Sequence, residues 1–548
     1  MERSAAGPEL LVLAGRIHLL GGHPPVEAIL LRGGEVAAAG TETEVRAAAA
    51  AGARTLRLAD ATLTPGLTDS HIHPTAWALA RRRVDLASAR TLDEGLARIA
   101  EAAGAASGEW VQGVGWEAHR WGGFPTREAL DRILPDRPAL FESHDLHASW
   151  LNSEALRRSG ITRETPDPAG GQIIRDPATG EPTGILLETA RAIAHAQLPE
   201  PQPEEVQEAL AEAQRELHRL GISGVHSVEP TGLADFEALR QDDRLRLRVL
   251  QHLPLDHLDA ALDVGLRSGW RSPEAAGVHG GGWIRVGGVK MFLDGALGSR
   301  TAWLREPYEG TEDYRGIQTL PAAEFREIVR RAAAGGIAAT VHAIGDAAVE
   351  LALEVLGAIA PPAALPHRIE HLQLCPPELW ERAARSGVAA SMQPVHLLSD
   401  IPAAERQWGH RRSRGAYAFA PLLRGGMTLA FGSDAPVETP DPRPGLFAAI
   451  RRVTWEGEAW RDGPEGEGEW YPEHRLSAEQ ALRAYTEGAA RAAGEAGRRG
   501  RLLPGYPADL AAWDRDPLAC PPEELREMRC LLTMVGGEIV HRADEVEG

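Results

Sequence analysis

Residues 62–74 read TLTPGLTDSHIHP, a strand-like run that ends in two histidines. Because successive side chains of a strand alternate between its two faces, His71 and His73 are expected on the same face. Two imidazoles at the carboxyl end of a strand can share a metal ion. An isolated His-x-His also fits an ordinary polar strand end, so the other strands decide whether this pair belongs to a site.

Strand-like apolar runs alternate with Ala/Glu/Arg-rich, helix-like stretches through most of the chain, for example the helix-like residues 322–336 and 347–360. Such alternation predicts a parallel sheet covered by helices, and the number of units fits a closed (β/α)8 TIM-type barrel in an α/β protein. The strand-like runs are 62–74, 221–230, 246–253, 283–295, 336–346, 367–374, 387–397 and 426–438.

The two ends and one internal segment depart from this rhythm. Residues 9–63 and 499–541 hold short β segments with Gly-rich turns, which indicate one small β domain built from both termini. The segment that follows the first barrel strand is rich in Trp, Gly and Pro and is interpreted as an α/β insertion. The predicted domains are a composite β-sandwich (1–64 and 496–548), a barrel (65–85 and 206–495) and an inserted, substrate-covering subdomain (86–205).

Four further residues of metal-binding or catalytic types lie at or near the ends of predicted strands: Lys290, His342, His371 and Asp434. Barrel enzymes place their catalytic groups on this loop face. Any single histidine could be a hydrogen-bonded core residue, but the whole arrangement is far less probable by chance. The pattern therefore predicts a metal centre at the carboxyl ends of the strands.

Lys290 is the only lysine among 548 residues, beside 57 arginines. Arginine serves on a surface as well as lysine, so a single lysine in the apolar run WIRVGGVKMFLDG indicates chemistry that a guanidinium cannot perform. An ε-amine can act as a nucleophile, form a Schiff base, or react with CO2 to give a metal-binding carbamate. Chance survival on a solvated face is the alternative, and the apolar setting disfavours it.

Composition limits the partners and the compartment. A net charge of −20 and a pI near 5.5 argue against nucleic acid and anionic membranes as partners. Three cysteines without CxxC spacing indicate a reducing compartment, so a cytoplasmic protein is expected. No apolar run is long enough to predict a membrane span. The expected partner is a small-molecule substrate, and a homodimer is one option for the assembly.

Nine stretches carry a more specific signal in their order along the chain: PGLTDSHIHP (65–74), GWEAHRWGGFPTREALDRILPDRP (115–138), HDLHASWLNSEAL (144–156), GGVKMFLDGALGSRTA (287–302), VHAIGDAAVE (341–350), RIEHLQL (368–374), SMQPVHL (391–397), GSDAPVE (432–438) and RLLPGYPADLAAWD (501–514). Together they resemble the amidohydrolase superfamily of metal-dependent (β/α)8-barrel hydrolases, and within it amidohydrolase family 3, which includes N-substituted formamide deformylase. The resemblance runs nearly end to end. It is highly specific for the family and much less specific for the substrate.

The resemblance implies a centre with two divalent ions, and imidazole and carboxylate ligands suit zinc or, as the alternative, manganese. It implies His71 and His73 on one ion, His342 and His371 on the other, a carbamylated Lys290 bridging both, and Asp434 as ligand of the first ion and general base. The chemistry agrees, because such ions lower the pKa of a water and polarise a carbonyl, while a carboxylate carries the proton to the leaving nitrogen. An arginine at position 290 could not supply the bridging oxygens.

Substrate contacts are expected from the insertion and from loops at the strand ends. The chain departs from the usual family pattern at Glu117, where Asp is common, and at 145–147, where DGH is common and this chain has DLH. Both departures lie in the insertion and bear on substrate preference. The predicted substrate-binding residues are Trp116 and His147 in the insertion, Asp294 and Arg300 after Lys290, and Gln393 at the seventh strand end.

Three other polar residues receive more modest interpretations. His226 lies at a strand end and is expected to be a hydrogen-bonded structural histidine. Glu370 adjoins His371 but should point to the opposite face, where a buried pair with an arginine is favoured. Asp346 could orient His342 from behind.

The predicted activity is hydrolysis of an amide- or formamide-type C–N bond of a small molecule, with an aromatic or apolar N-substituent as a candidate. A deaminase or a lactone or ester hydrolase on the same scaffold is the alternative. The run AIGD after His342 and the lysine weaken a mononuclear deaminase. A non-catalytic regulatory protein is the remote alternative, and its mark would be a lost ligand, whereas the sequence keeps all six.

Overall fold

The computed structural model describes residues 9–105, 109–143, 148–168, 171–230, 232–272, 282–453, 468–544 and 546. The chain forms two compact units. One comprises residues 1–74 and 211–548, and the other comprises residues 75–210.

Eight strands of the first unit form a parallel sheet whose spatial order follows the chain order. Each strand pairs in parallel with the next, as in the register Phe292↔His342. This nearly closed, eight-stranded barrel confirms the predicted fold class. Its strands are β1 (Leu67–Ile72), β2 (Ile222–Ser227), β3 (Arg248–Pro254), β4 (Ile284–Phe292), β5 (Ala339–Ala343), β6 (Arg368–His371), β7 (Ala389–Met392) and β8 (Thr428–Phe431).

The barrel closes where the segment after β8 meets β1. The backbone N–H of Asp434 donates to the carbonyl of His71 over 2.7 Å, and the N–H of His73 donates to the carbonyl of Ala435 over 2.9 Å. A Cβ atom on Gly432 would lie 2.4 Å from the backbone nitrogen of His71. Only glycine therefore permits this approach, which brings Asp434 next to the two histidines.

Helices alternate with the barrel strands, as the sequence pattern predicts. Among the described residues, no helix is both long enough and apolar enough to cross a membrane. The principal helices after β1 are Pro203–Arg219, Leu233–Gln241, Leu258–Asp263, Ala322–Ala334, Asp346–Ala358, Trp380–Arg385, Leu397–Gln407, Phe419–Arg424, Pro442–Arg451 and Ala478–Arg483.

Both ends of the chain contribute to one seven-stranded sheet. Leu510 pairs with Pro65 in antiparallel register, which joins the C-terminal strands to the N-terminal ones. Side chains of these strands form a buried cluster that includes Val12, Ile29, Leu63 and Met534. In spatial order its strands are Glu538–Arg542, Cys530–Val535, Leu510–Trp513, Arg54–Pro65, Leu10–Ile17, Val26–Arg32 and Glu35–Gly40.

The second unit contains a six-stranded mixed sheet and helix Leu92–Ala105. Its core is aromatic, with Trp116, Phe141 and Trp150 at most 1% exposed. In spatial order its strands are Gly171–Arg175, Pro182–Glu188, Ala148–Leu151, Ala139–Ser143, Val111–Trp116 and Val84–Asp85.

Candidate active site

The six predicted ligands lie at the carboxyl ends of five barrel strands. The imidazole centroids of His71 and His371 are 4.8 Å apart, and those of His371 and His342 are 4.5 Å apart. Three of the four histidines therefore form one continuous cluster inside the barrel. In strand order the six are His71 and His73 at β1, Lys290 in β4, His342 in β5, His371 in β6 and Asp434 after β8.

Asp434 is the point at which these groups converge. One carboxylate oxygen of Asp434 lies 3.2 Å from Nε2 of His71 and 3.2 Å from Nε2 of His73. Ligand atoms of His71, His371 and Asp434 all lie within 4.8 Å of one another, and all three side chains are buried. Three such donors at this spacing can hold a metal ion.

Two of these residues have a left-handed backbone, which side chains rarely adopt. The φ angle is 63° at Asp434 and 70° at His371. Such a conformation costs on the order of 1–3 kcal/mol at a residue other than glycine, and it is concentrated at functional sites. Both unusual φ angles therefore occur at candidate metal ligands.

The electrostatics keep Asp434 ionised and His371 neutral. Burial raises the pKa of Asp434, but the imidazoles of His71 and His73 outweigh burial and hold that pKa well below its usual range. Burial, helped by His342, holds the pKa of His371 well below its usual range. A carboxylate beside a neutral imidazole is the protonation state that metal binding requires.

Lys290 is 5% exposed in β4. Burial lowers the pKa of its amine to about 8, against the raising effect of Glu370 and Asp434. Its Nζ lies 4.8 Å from the ring centroid of Phe292. An amine with this pKa is partly neutral near physiological pH, and the neutral amine is the form that attacks CO2.

Glu370 touches the site, although the sequence pattern suggests that it points away. Its carboxylate accepts a 2.5 Å hydrogen bond from Nδ1 of His71. The expected arginine partner is also present, because the Arg368 guanidinium contacts both oxygens of Glu370 at 2.5 and 2.9 Å. Both members of this ion pair are fully buried, so Glu370 fixes the orientation of a candidate ligand.

A sequence profile of the amidohydrolase family matches residues 54–541. The chain belongs to the amidohydrolase family. This assignment confirms the expected family and the expectation of a hydrolase.

Three similar proteins cover nearly the whole amidohydrolase. YtcJ of Bacillus subtilis (strain 168), whose name places it among amidohydrolases, is 33% identical over 497 residues, 89% of this chain and 90% of that protein. N-substituted formamide deformylase of Arthrobacter pascens is 30% identical over 531 residues, 93% and 94% of the two chains. A metal-dependent hydrolase of Pyrococcus horikoshii OT3 superposes with a TM-score of 0.77 at 27% identity, covering 94% of this chain and 99% of that one.

The family implies a divalent metal, and the donor atoms of this amidohydrolase fit one. Because Nδ1 of His71 donates to Glu370, its Nε2 is the atom available to a metal, and that atom faces Asp434. Nε2 of His342 lies 3.0 Å from the carbonyl oxygen of Gly295, so Nε2 carries the proton and donates it to this oxygen. The unprotonated Nδ1 of His342 is then the atom available to a metal. A neighbouring oxygen thus holds the imidazoles of His71 and His342 each in one tautomer.

Asp294 organises the loops next to His342. Its carboxylate accepts hydrogen bonds from the backbone N–H groups of Trp303, Ile344 and Gly345 at 2.7–3.0 Å. It also lies 3.6 Å from Nε2 of His342. Asp346, which the sequence suggested for this role, accepts instead from the backbone N–H of Arg305.

The other predicted barrel residues have varied positions. Arg300, with a φ of 58°, places its guanidinium 5.4 Å from the Tyr308 ring. Gln393 is 2% exposed and donates weakly to the Ser391 carbonyl over 3.3 Å. His226 is buried with Nδ1 2.9 Å from the Arg368 guanidinium, which agrees with the structural interpretation. Within the described part of the chain, none of these three makes a hydrogen bond, ion pair or ring contact with the six candidate ligands.

Of the two insertion residues predicted to bind substrate, Trp116 and His147, the structure describes only Trp116. Trp116 is 1% exposed, and its indole N–H donates to the Phe141 carbonyl over 2.8 Å. It packs edge-on against Trp150 with centroids 6.5 Å apart, so it is a core residue of the second unit. His147 lies outside the described residues.

Asp69 and His396 also lie at the site, although the sequence pattern does not identify them as site residues. Asp69 accepts from the backbone N–H groups of His71 and Ser433 and from the Ser433 hydroxyl, which ties β1 to the loop of Asp434. His396 places Nε2 3.8 Å from the second oxygen of Asp434. A signal existed for Asp69, which precedes His71 by two residues and therefore shares its face.

Proposed function

We propose that this amidohydrolase hydrolyses an amide- or formamide-type C–N bond of a small molecule, acting on C–N bonds other than peptide bonds. Asp434 is the general base, and a carbamylated Lys290 is the bridging ligand. The observation that carries the proposal is the convergence of Asp434 with His71, His73 and His371. An ionised carboxylate among imidazoles, at the carboxyl ends of barrel strands, suits metal-assisted attack on a carbonyl.

In this proposal six residues hold two divalent ions, zinc or alternatively manganese. When bound, such ions lower the pKa of water toward neutrality and polarise a substrate carbonyl. His71, His73 and Asp434 would hold the first ion, His342 and His371 would hold the second, and the carbamylated Lys290 would bridge them. Glu370 supports the set because it keeps His71 in the tautomer that exposes Nε2.

Asp434 carries the proton in the proposed reaction. Its carboxylate takes a proton from the attacking water and transfers it to the leaving nitrogen, which departs as an amine. A low pKa in the resting site favours the ionised, proton-accepting form. The left-handed backbone at residue 434 holds the carboxylate toward the cluster.

Lys290 joins the site through a covalent change of its amine. The neutral ε-amine attacks the carbon of CO2, a C–N bond forms, and one proton is released, which leaves a carbamate with two oxygens. Burial supports this step because it lowers the pKa of the amine to about 8. An arginine could not form the carbamate, which accounts for the one lysine in the chain.

Formamides and amides with an apolar N-substituent are the proposed substrates. This choice follows the name of the Arthrobacter pascens relative, N-substituted formamide deformylase. We place the reaction in the cytoplasm, because the cysteine usage indicates a reducing compartment.

The proposal is tested with metal-loaded protein and a panel of N-alkyl formamides, N-alkyl acetamides, lactones, carboxylic esters and aminopurines. Release of amine and carboxylate from at least one formamide or amide is the expected result, at a rate that Asp434→Asn abolishes or strongly lowers. Turnover limited to lactones or esters, or ammonia release from a purine, would replace the proposed activity with one of its alternatives.

A further inference from the structure

Exposed apolar side chains are frequent in two segments of the chain that follow candidate ligands. Among the described residues, seven large hydrophobic side chains are exposed, and four of them lie at the end of β4 or in the segments after β4 and β8. The four are Phe292, Tyr314 and Ile317 after Lys290, and Val437 after Asp434.

Phe292 is the residue of this group that reaches the site directly. It ends β4 two residues after Lys290, so both side chains project from the same face of the strand. Its ring centroid is 5.1 Å from that of His342 and 4.8 Å from Nζ of Lys290, yet the residue is 49% exposed. One part of the ring borders the candidate ligands, and the rest is open to a ligand.

The loop after β4 is held against Phe292 by its own backbone. The hydroxyl of Thr319 donates to the Phe292 carbonyl over 2.7 Å, and the N–H of Thr319 donates to the Leu293 carbonyl over 2.9 Å. The N–H of Ile317 donates to the Thr301 carbonyl over 3.1 Å. Ile317 is two residues from Thr319, so the Cα atoms of these two residues lie at most about 7 Å apart.

We propose that Phe292 forms an aromatic platform for the substrate, and that it selects substrates with a ring-bearing apolar substituent. The inference rests on the proposed function, since it assumes that the scissile bond lies at the six candidate ligands. The occupant that suits this position is an aromatic substituent of the substrate, because the ring that borders His342 is itself apolar and 49% exposed. Aromatic pairs gain free energy beyond their buried area when they stack offset or edge-to-face.

A purely local role for Phe292 would be to shield the Lys290 ammonium by a cation–π contact. Carbamylation converts that cation into an anion, and an anion is not attracted to the face of a ring. In the proposed active form, the Phe292 ring therefore loses this partner, and its face becomes available to a substrate.

The inference is tested by equilibrium binding of two metal-chelating probes, benzohydroxamate and acetohydroxamate, to the metal-loaded, full-length protein. The wild type should bind benzohydroxamate more tightly, and Phe292→Ala should reduce the ratio of the two affinities by about fivefold or more. Trp270→Ala is the matched control, because Trp270 is 45% exposed but lies in the connection between β3 and β4. That control should leave the ratio unchanged. Phe292→Leu, which keeps an apolar side chain, should show an intermediate ratio and serves if the alanine variant does not fold.

An unchanged affinity ratio in both Phe292 variants would overturn the inference. A second measurement separates this failure from failure of the proposed function. The ratio of kcat/KM for N-(2-phenylethyl)formamide over N-ethylformamide should fall about fivefold in Phe292→Ala. If the wild type turns over no formamide or amide of the panel, the proposed function fails, and the hydroxamate ratio still decides the role of Phe292. If both are hydrolysed with an unchanged ratio, the platform alone is rejected.

Discussion

At the scale of single residues, the proposed reaction gives Asp434 two tasks, metal ligand and general base, at a carboxylate that contacts two histidines. Asp434→Asn should therefore lower kcat by about 10²–10⁴-fold, the range typical of a lost general base. Metal held by His342 and His371 should stay bound. Steady-state kinetics together with metal analysis of the purified variant provide the check.

Turnover of Asp434→Asn close to that of the wild type would assign the base elsewhere. His396 is then the next candidate, since its Nε2 lies 3.8 Å from the second oxygen of Asp434. His226 is a poorer choice because the Arg368 guanidinium occupies its Nδ1.

Glu370 offers a second test at this scale, because it orients His71 without facing the metal itself. Glu370→Gln should weaken zinc affinity by about 10–100-fold, the usual effect of losing a carboxylate behind a ligating histidine. Competition with a zinc chelator measures this. Asp346→Asn is the matched control, since Asp346 is also buried and paired with an arginine but contacts Arg305 instead. Equal zinc affinities in the Glu370 variant and the wild type would leave Glu370 with a packing role only.

The sequence predicts the ligand candidates far better than the groups that hold them. His71, His342 and the other candidates are visible because each stands at the end of an apolar run. The Glu370 contact with His71 joins residues 299 positions apart, and no local periodicity reports such a pairing. The alternation of side chains along a strand suggests that Glu370 points away from the site. However, Glu370 lies in a strand of only four residues, next to His371, whose φ angle is 70°.

At the scale of secondary-structure elements, strands and loops differ in how well their side chains can be placed. Alternation of strand and helix predicts the parallel order of β1–β8, because each strand pairs with its neighbour in sequence. The aromatic segment around Trp116 fits either an apolar pocket or an apolar core, and composition alone does not separate the two. The structure gives Trp116 a buried place with its N–H satisfied.

Trp116→Ala is therefore expected to destabilise the second unit. Loss of a fully buried Trp costs about 3–5 kcal/mol, which urea unfolding followed by circular dichroism can measure. Phe124→Ala is the comparison, since Phe124 packs edge-on against Trp116 but is 49% exposed, and its loss should cost much less. A Trp116 variant with normal stability and an altered substrate preference would restore the original assignment of Trp116 to substrate binding.

At the scale of the whole molecule, Asp509 joins the terminal sheet to the barrel. Its carboxylate contacts the Arg248 guanidinium in β3 at 3.1 and 3.2 Å, and the Arg499 guanidinium at 3.2 Å. Its backbone carbonyl accepts from Gly66, which precedes β1. This buried cluster has no counterpart in the sequence pattern, which shows only that both termini are rich in short strands.

The ion cluster at Asp509 predicts a pH dependence of stability. Burial raises the pKa of Asp509, but Arg248 and Arg499 outweigh burial, so the folded-state pKa lies below the ordinary value of 3.8. A depressed pKa stabilises the fold fully above about pH 5, and this stabilisation is lost as the pH falls through the folded-state value. Asp509→Asn should cost about 3–5 kcal/mol at pH 7, and the difference from the wild type should shrink below pH 4.

Urea unfolding at pH 7 and at pH 3 measures this difference. Glu164→Gln is the control, because Glu164 pairs with Arg163 on an exposed surface, and its loss should have no measurable effect at either pH. A pH-independent cost for Asp509→Asn would show that packing around residue 509, and not its charge, holds the two sheets together.

The proposed bridging of two divalent ions by Lys290 is tested most directly by the number of ions per chain in the wild type and in Lys290→Arg. Active wild-type protein should hold about two ions per chain. Lys290→Arg should lose both activity and the two-ion stoichiometry, although arginine occupies all 57 other Lys/Arg positions of the chain. Lys290→Ala should regain part of its activity with added short carboxylates, which can stand in for the carbamate. Active wild-type protein without bound metal would exclude the metal centre, and a Lys290→Arg variant that keeps full activity and two ions would exclude Lys290 as the bridge.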